Sequence, residues 1–85
     1  MTREKTIHNK IYMDLIQLLV TERQRLGLSQ AEVASQLGLT QSEVSKVETL
    51  ERRLDTLEFQ QLLSVYRVNE NKKLRHAILE FLEIY

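Results

Sequence analysis

The sequence predicts an all-α protein: a compact, five-helix single domain over residues 1–85. The chain has no proline and only two glycines, and no segment keeps the alternation of apolar and polar residues that is typical of a strand. Apolar residues make up 42% of the chain and charged residues 28%, which is the balance of a folded protein. A chain of 85 residues can bury one core but not two.

Capping signals and glycines place the five helices. Ser29–Glu32 and Thr40–Glu43 match the capping box, in which a hydroxyl and a glutamate satisfy free amides of the first turn. Asp55 followed by Glu58 is a looser version. The predicted helices run from about Lys10 to Arg25, from Gln30 to Leu37, from Gln41 to about Thr49, from Thr56 to Tyr66 and from about Lys72 to Ile84.

Each of these spans has its own end signal or apolar stripe. Gly27 follows the first helix and Gly38 closes the second, since glycine readily takes the left-handed conformation. Apolar residues recur at helical spacing along the fourth and fifth helices. We expect Asn69 or Asn71 to cap the fifth helix, and residues 1–9 to form a loose arm or an extra turn of the first.

Composition excludes several classes of protein. The chain has no cysteine, and its two histidines, His8 and His76, are expected on the surface, so we predict neither disulfides nor a metal site. It shows no glycine-rich phosphate loop and no triad spacing, so we expect no cofactor and no enzymatic activity. No apolar run approaches the ~20 residues of a membrane span, and Met1 leads into a charged segment, so we expect a cytoplasmic protein.

The charge balance favours a localised binding surface. Twelve Lys and Arg residues balance twelve Asp and Glu residues, which excludes nucleic-acid binding by bulk charge alone. No single segment of the chain is strongly basic. A surface that binds anions would therefore have to be assembled from separate segments.

The second and third predicted helices form a helix-turn-helix at residues 30–49. They are joined by the three residues Gly38-Leu39-Thr40, and Ala34 lies where the helices would cross most closely. Val44 and Val47 turn inward, which leaves a polar outer face on the third helix. A short helix with such a face can enter the major groove of DNA and contact base edges. The residues of this face are Gln41, Ser42, Glu43, Ser45 and Lys46.

The stretch from Leu28 to Glu48 resembles the helix-turn-helix of the family of lambda repressor, Cro and 434 repressor, also called XRE-like. The resemblance covers about residues 12–68 and implies the lambda-repressor-like fold. Phage repressors, restriction–modification controllers and antitoxins all use it. Several positions agree at once, namely Gln30, Ala34, Gly38, Val44 and Glu48.

The resemblance implies a role for each polar residue of the motif. Gln30 would hold a backbone phosphate at the positive end of the second helix, while Gln41 and Ser42 would lead base recognition. Ser45 and Lys46 would reach bases or phosphates farther along. Basic residues after the third helix would contact the DNA backbone. The implied DNA-binding set is Gln30, Thr40, Gln41, Ser42, Glu43, Ser45, Lys46, Arg52 and Arg53.

The resemblance also implies a buried ion pair between Arg23 and Glu48, which would tie the first helix to the third. The residues support it independently, because Arg23 follows Leu19 by four positions and Glu48 follows Val44 by four. Both charges thus fall in apolar stripes, and opposite charges in two facing stripes are best explained as partners.

Two positions depart from the family pattern. The family has a glycine two residues after the Glu48 position, where this chain has Leu50, and often a proline after the basic loop, where this chain has Leu54-Asp55. Either the third helix is longer, or Leu50 packs inward and reshapes the loop. Both outcomes bear on the phosphate contacts of Arg52 and Arg53.

Several of these residues have a second interpretation. Those that could be plain solvated surface positions are Gln30, Ser42, Ser45, Arg52 and Arg53. Glu43 could accept a hydrogen bond from cytosine, but a capping role is favoured, and Lys46 could be an exposed lysine offset by Glu43. Leu79 and Ile84 lie off the main stripe of the fifth helix, and a dimer interface is favoured over packing against the first helix. The dimerisation set is Leu79, Phe81, Leu82, Ile84 and Tyr85.

These features predict a dimeric, sequence-specific regulator that binds double-stranded DNA, a repressor or autoregulator of a bacterium or phage, associated with the nucleoid. Each subunit would read one half of a two-fold symmetric operator, with half-sites ~34 Å apart. The alternative is a protein-interaction module, such as an antitoxin, whose toxin or other partner would bind the apolar rim of the fifth helix.

Overall fold

A computed structural model of the protein describes residues 9–82 and contains five α-helices in that range. They are α1 (Lys10–Arg25), α2 (Gln30–Leu37), α3 (Gln41–Glu48), α4 (Thr56–Val65) and α5 (Lys72–Leu82), with a single 3₁₀ turn at Val68–Glu70 before α5. The predicted all-α class is confirmed, and the helix bounds agree closely. Residues 1–8 of the arm predicted at residues 1–9, and the predicted last residues of α5, lie outside the described range.

Every helix begins at a side-chain cap. Capping boxes at Ser29, Thr40 and Asp55 confirm the three predicted signals. Asn9 Oδ1 accepts from two amides of the first turn of α1, a cap that the sequence did not predict. Of the two asparagines proposed for α5, Asn71 is the one whose Oδ1 accepts an amide of that helix, at 3.1 Å.

Four of the helices end at a residue in the left-handed conformation. This residue is Gly27 after α1 and Gly38 after α2, as predicted, with φ of 72° and 71° respectively. It is Leu50 after α3 and Arg67 after α4, with φ of 68° and 51° respectively. Leu50 forms a Schellman motif at the end of α3. The amide of the next residue, Glu51, donates to the Lys46 carbonyl of α3 at 2.8 Å.

The core lies where α1 and α2 meet the other helices. α1 packs against α3 and α5, and α2 packs against α3 and α4. Phe81 of α5 closes one end, with its ring 6.1 Å from that of Tyr12 and 6.2 Å from that of Phe59. No helix in residues 9–82 has the length and apolar character that crossing a bilayer requires. The buried apolar residues are Tyr12, Leu15, Ile16, Leu19, Val33, Ala34, Leu37, Val44, Val47, Leu62, Tyr66, Val68, Leu74 and Ile78.

A buried carboxylate ties the end of α1 to the start of α5. Glu22 is 2% exposed, and its oxygens accept from Arg25 at 2.9 and 2.6 Å and from Asn71 Nδ2 at 2.7 Å. The hydrogen bonds from Arg25 and, to a lesser degree, Asn71 lower the pKa of Glu22 below its ordinary 4.5, although burial acts in the opposite direction. Asn71 therefore caps α5 and holds it against α1 with the same side chain.

The left-handed Arg67 predicts a stabilising substitution. Its side chain is exposed, so Arg67→Gly removes the strain of a positive φ without removing packed atoms. The left-handed conformation costs a residue with a Cβ ~1–2 kcal/mol, and glycine avoids this cost. Part of the gain in stability is lost, because glycine has more conformational entropy in the unfolded state. We expect Arg67→Gly to be about 0.5–1 kcal/mol more stable than Arg67→Ala, which keeps the Cβ, in urea denaturation followed by circular dichroism. Equal stability of the two variants would contradict strain at this position.

The lowered pKa of Glu22 predicts acid sensitivity. A carboxyl whose pKa is lower in the folded state contributes stability above its unfolded value, and this contribution is lost as the pH falls through the folded value. We expect the free energy of unfolding to fall as the pH drops below about 4.5. Glu22→Gln should be less stable at pH 7 and lose less on acidification, as measured by urea denaturation at both pH values.

The control for this pH experiment is Glu80→Gln, which changes an exposed carboxyl of α5. It should follow the wild-type pH profile. A Glu22→Gln protein whose stability falls with acidification as steeply as that of the wild type would contradict the assignment.

Candidate nucleic-acid interface

The candidate interface is built on α2, the turn of residues 38–40, and α3. Val33 and Ala34 of α2 are 1% and 3% exposed, and Val44 and Val47 of α3 are both 5% exposed. These side chains fill the space between the two helices. Their burial fixes the rotation of α3 about its axis and therefore decides which of its residues face outward.

The outward face of α3 is polar, as the spacing predicts. Gln41, Ser42 and Lys46 are exposed, whereas Ser45 and Glu43 are half-buried. An amide, a hydroxyl and an ammonium group thus lie together on one side of an eight-residue helix. Such groups can form hydrogen bonds with base edges in the major groove.

The capping box of α3 engages two of the residues in the implied DNA-binding set. Glu43 Oε1 accepts from the Thr40 amide at 2.9 Å, and the Glu43 amide donates to Thr40 Oγ1 at 3.1 Å. This is the capping interpretation that the sequence favoured for Glu43. Both side chains face the helix N-terminus, where they satisfy two amides.

The structure brings Arg23 of α1 and Glu48 of α3 together as a bidentate ion pair. Arg23 Nε lies 2.7 Å from Glu48 Oε2, and Nη2 lies 3.1 Å from Oε1. The side chains are 13% and 12% exposed. The third guanidinium nitrogen donates to the Leu28 carbonyl at 2.8 Å, at the turn between α1 and α2. The hydrogen bonds to Glu48 raise the pKa of Arg23 above its ordinary value.

Two glutamines extend this ion pair to the exposed face. Gln30 Nε2 donates to Glu48 Oε1 at 2.9 Å, and Gln30 Oε1 accepts from Gln41 Nε2 at 3.1 Å. Gln30, implied as a phosphate contact, is therefore also a link between the ion pair and the first residue of α3. The sequence did not predict this link.

The loop after α3 follows from the conformation of Leu50. α3 ends at Glu48, and Leu50 packs partly buried against the core. Of the two alternatives for this departure from the family pattern, inward packing is the one observed. Arg52 then donates to both oxygens of Glu58 at 2.8 Å, whereas Arg53 is exposed. The two arginines of the implied phosphate set thus lie in different environments.

The buried Glu58 and the half-buried Arg52 form an ion pair at the start of α4. The bonds from Arg52, together with that from the Asp55 amide, lower the pKa of Glu58, although burial opposes this. Glu58 was predicted as part of a capping box, but its ion pair was not. No spacing rule in the sequence indicated this partner, because Arg52 lies in the loop before α4 and not on the helix.

The exposed face of α5 contains part of the implied dimerisation set. Leu79 and Leu82 are 58% and 53% exposed. The exposure of Leu79 does not fit the alternative interpretation, in which this residue packs against α1. Phe81 is instead half-buried among aromatic rings of the core. Ile84 and Tyr85 lie outside the described residues.

The described part of the chain shows no cluster of His, Asp and Glu side chains that could hold a metal ion. The polar groups of the interface are instead arranged along one helix face and one hydrogen-bonded line behind it. This geometry suits contact with a large polar surface.

Comparison with known proteins identifies the family. Residues 19–72 match the family model HTH_3, described as helix-turn-helix. The comparison with curated proteins finds no match. The matched range includes α2, the turn, α3, the Leu50 loop and α4, and it covers more than half of the chain. The chain therefore belongs to the XRE-type helix-turn-helix family, the DNA-binding family of lambda repressor and Cro.

Proposed function

We propose that this protein is a sequence-specific transcriptional regulator, a repressor or autoregulator that binds a two-fold symmetric operator as a homodimer. One observation carries the proposal: α3 presents Gln41, Ser42 and Lys46 to solvent, while other residues of the helix, Val44, Val47 and Glu48, hold it to the rest of the domain. The exposed residues have little part in the core. They are available to meet DNA without a change of fold.

In the proposed complex α3 lies in the major groove of one half-site. The Gln41 amide can pair with adenine through one donor and one acceptor, and Lys46 can donate to guanine or to a phosphate. Ser42 can donate or accept and is therefore tolerant of the base it meets. Register along the duplex would come from contacts with phosphates, which carry no sequence information.

Few cations remain for phosphates in this arrangement. The chain has zero net charge, and Arg52 is paired with Glu58. Lys46 and Arg53 are the exposed cations on α3 and the loop that follows it. We therefore propose that sequence-independent affinity is modest and that binding has a shallow dependence on salt for a protein of this family.

The second subunit would dock on α5. Leu79 and Leu82 expose more than half of their surface, and Ile11 of α1 is 48% exposed. A two-fold symmetric operator requires two recognition helices at a fixed spacing, ~34 Å for adjacent turns of the duplex. A dimer through these residues would cover apolar surface that a lone subunit leaves in water.

The same leucines support a second candidate, a protein-interaction module such as an antitoxin. A stoichiometric second protein recovered with the chain from its native cells, together with no retention on DNA at low salt, would favour this candidate. Both functions can coexist in one chain.

DNA binding is tested by gel shift on a duplex selected by the wild-type protein from a randomised pool and on the DNA upstream of its own gene. We expect Gln41→Ala and Lys46→Ala each to weaken binding by about 1–3 kcal/mol on the selected duplex. Gln61→Ala and Lys73→Ala remove the same groups from exposed positions outside the helix-turn-helix and should bind as the wild type does. If Gln41→Ala and Lys46→Ala also bind like the wild type, α3 is not the recognition helix.

The dimer is tested by light scattering at two protein concentrations. We expect wild-type dimers at high micromolar concentration and monomers for Leu79→Glu, because a carboxylate would be buried in the interface. The variant should keep its helicity, since Leu79 is exposed in the subunit. Lys73→Glu, an exposed substitution on the same helix, should remain dimeric. A wild-type monomer at that concentration would contradict the two-subunit arrangement.

A further inference from the structure

A continuous line of side-chain hydrogen bonds runs from α1 through α2 to the exposed face of α3. Its four members are Arg23, Glu48, Gln30 and Gln41, and each is joined to the next by bonds of 3.1 Å or less. At one end lies an ion pair with side chains 13% and 12% exposed. At the other end lies the residue that would meet a base first.

The line has a fixed direction, because its first two members cannot exchange roles. A guanidinium only donates hydrogen bonds and an ionised carboxylate only accepts them, so Arg23 fixes Glu48 as the acceptor. Gln30 must then turn its NH₂ group towards Glu48, which points its carbonyl oxygen towards α3. That oxygen accepts but cannot donate, so Gln41 must turn its own NH₂ group towards Gln30.

We infer that Glu48, acting through Gln30, is a positioning residue that holds the Gln41 amide in one orientation and thereby sets base specificity. This inference rests on the proposed function. With one N–H engaged by Gln30, Gln41 presents one donor beside one acceptor to the groove. Adenine offers the complementary pair, an acceptor at N7 and a donor at N6. Guanine offers two acceptors, N7 and O6, and cannot satisfy the Gln41 oxygen. The ion pair thereby sets a preference for adenine at the base that Gln41 meets.

Reversing the direction of the line should reverse the preference. In Glu48→Gln the new amide can accept from Arg23 and donate to Gln30, which lets Gln30 and Gln41 both turn over. Gln41 would then present N–H groups outward, and adenine would lose its advantage over guanine. In Gln30→Met the line is cut but the ion pair is kept, so Gln41 can take either orientation and the preference should disappear without reversing.

The test first locates the base pair that Gln41 reads. Randomised duplexes are selected with the wild-type protein and with Gln41→Ala, and the position whose preference depends on Gln41 is identified. Synthetic duplexes with A·T or G·C at that position are then titrated with each protein. We expect the wild type to prefer adenine about tenfold, Glu48→Gln to lose or reverse this ratio, and Gln30→Met to bring it close to one.

The ratio between the two duplexes is the readout, because a general loss of stability or of phosphate contact lowers both affinities together. Gln61→Met, the same change at an exposed position of α4, should keep the wild-type ratio. Helicity is checked by circular dichroism. If Glu48→Gln does not fold, Gln30→Met decides the test, since it leaves Arg23 and Glu48 in place.

The outcomes separate this inference from the proposed function. A wild-type protein that enriches no sequence overturns the proposed function and the inference with it. A wild-type protein that selects a site, but prefers guanine at the Gln41 position or keeps its adenine preference in both variants, overturns the inference alone.

Discussion

The ion pair between Arg23 and Glu48 is the interaction on which the arrangement of the helices depends. It joins α1 to α3, and through the Leu28 carbonyl it also holds the turn that leads into α2. Removing one partner would leave a largely buried charge, at a cost of ~3–5 kcal/mol, whereas replacing both by apolar residues can be neutral. The charges are therefore better understood as fixing geometry than as adding stability. They hold the two helices of the motif in register with the helix behind them.

Most of the fold could be predicted from local signals. Capping boxes and apolar spacing place all five helices within a few residues, because such signals involve neighbours three or four positions apart. The left-handed residues at the helix ends were only partly predictable. Gly27 and Gly38 were expected to take this conformation because glycine adopts it readily, whereas nothing in the sequence indicates it at Leu50 or Arg67. At Leu50 tertiary packing overrides the backbone preference, which is why the departure from the family's glycine could not be interpreted from sequence.

The candidate site shows the same division. The polar face of α3 follows from the burial of Val44 and Val47, and the spacing of these two residues makes it predictable from the sequence. Apart from the Arg23–Glu48 ion pair and the Thr40–Glu43 capping box, which the sequence indicated, the hydrogen-bond partners are not, because most of them lie far apart in the chain. Gln30 and Glu48 are 18 residues apart, and the bond that joins Asn71 to α1 spans 49. Only the folded packing of the helices selects such partners among many polar residues, and no spacing rule identifies them.

The capping glutamates have one more consequence. α2, α3 and α4 each carry a carboxylate in the first turn, directed at the helix N-terminus. The positive end of each helix dipole, which could otherwise attract phosphates anywhere along a duplex, is thus partly neutralised from within the chain. Combined with zero net charge, this would give the proposed regulator a low affinity for DNA of unselected sequence. A regulator built in this way would locate its operator by repeated collisions from solution, with short residence elsewhere on the chromosome and little one-dimensional sliding.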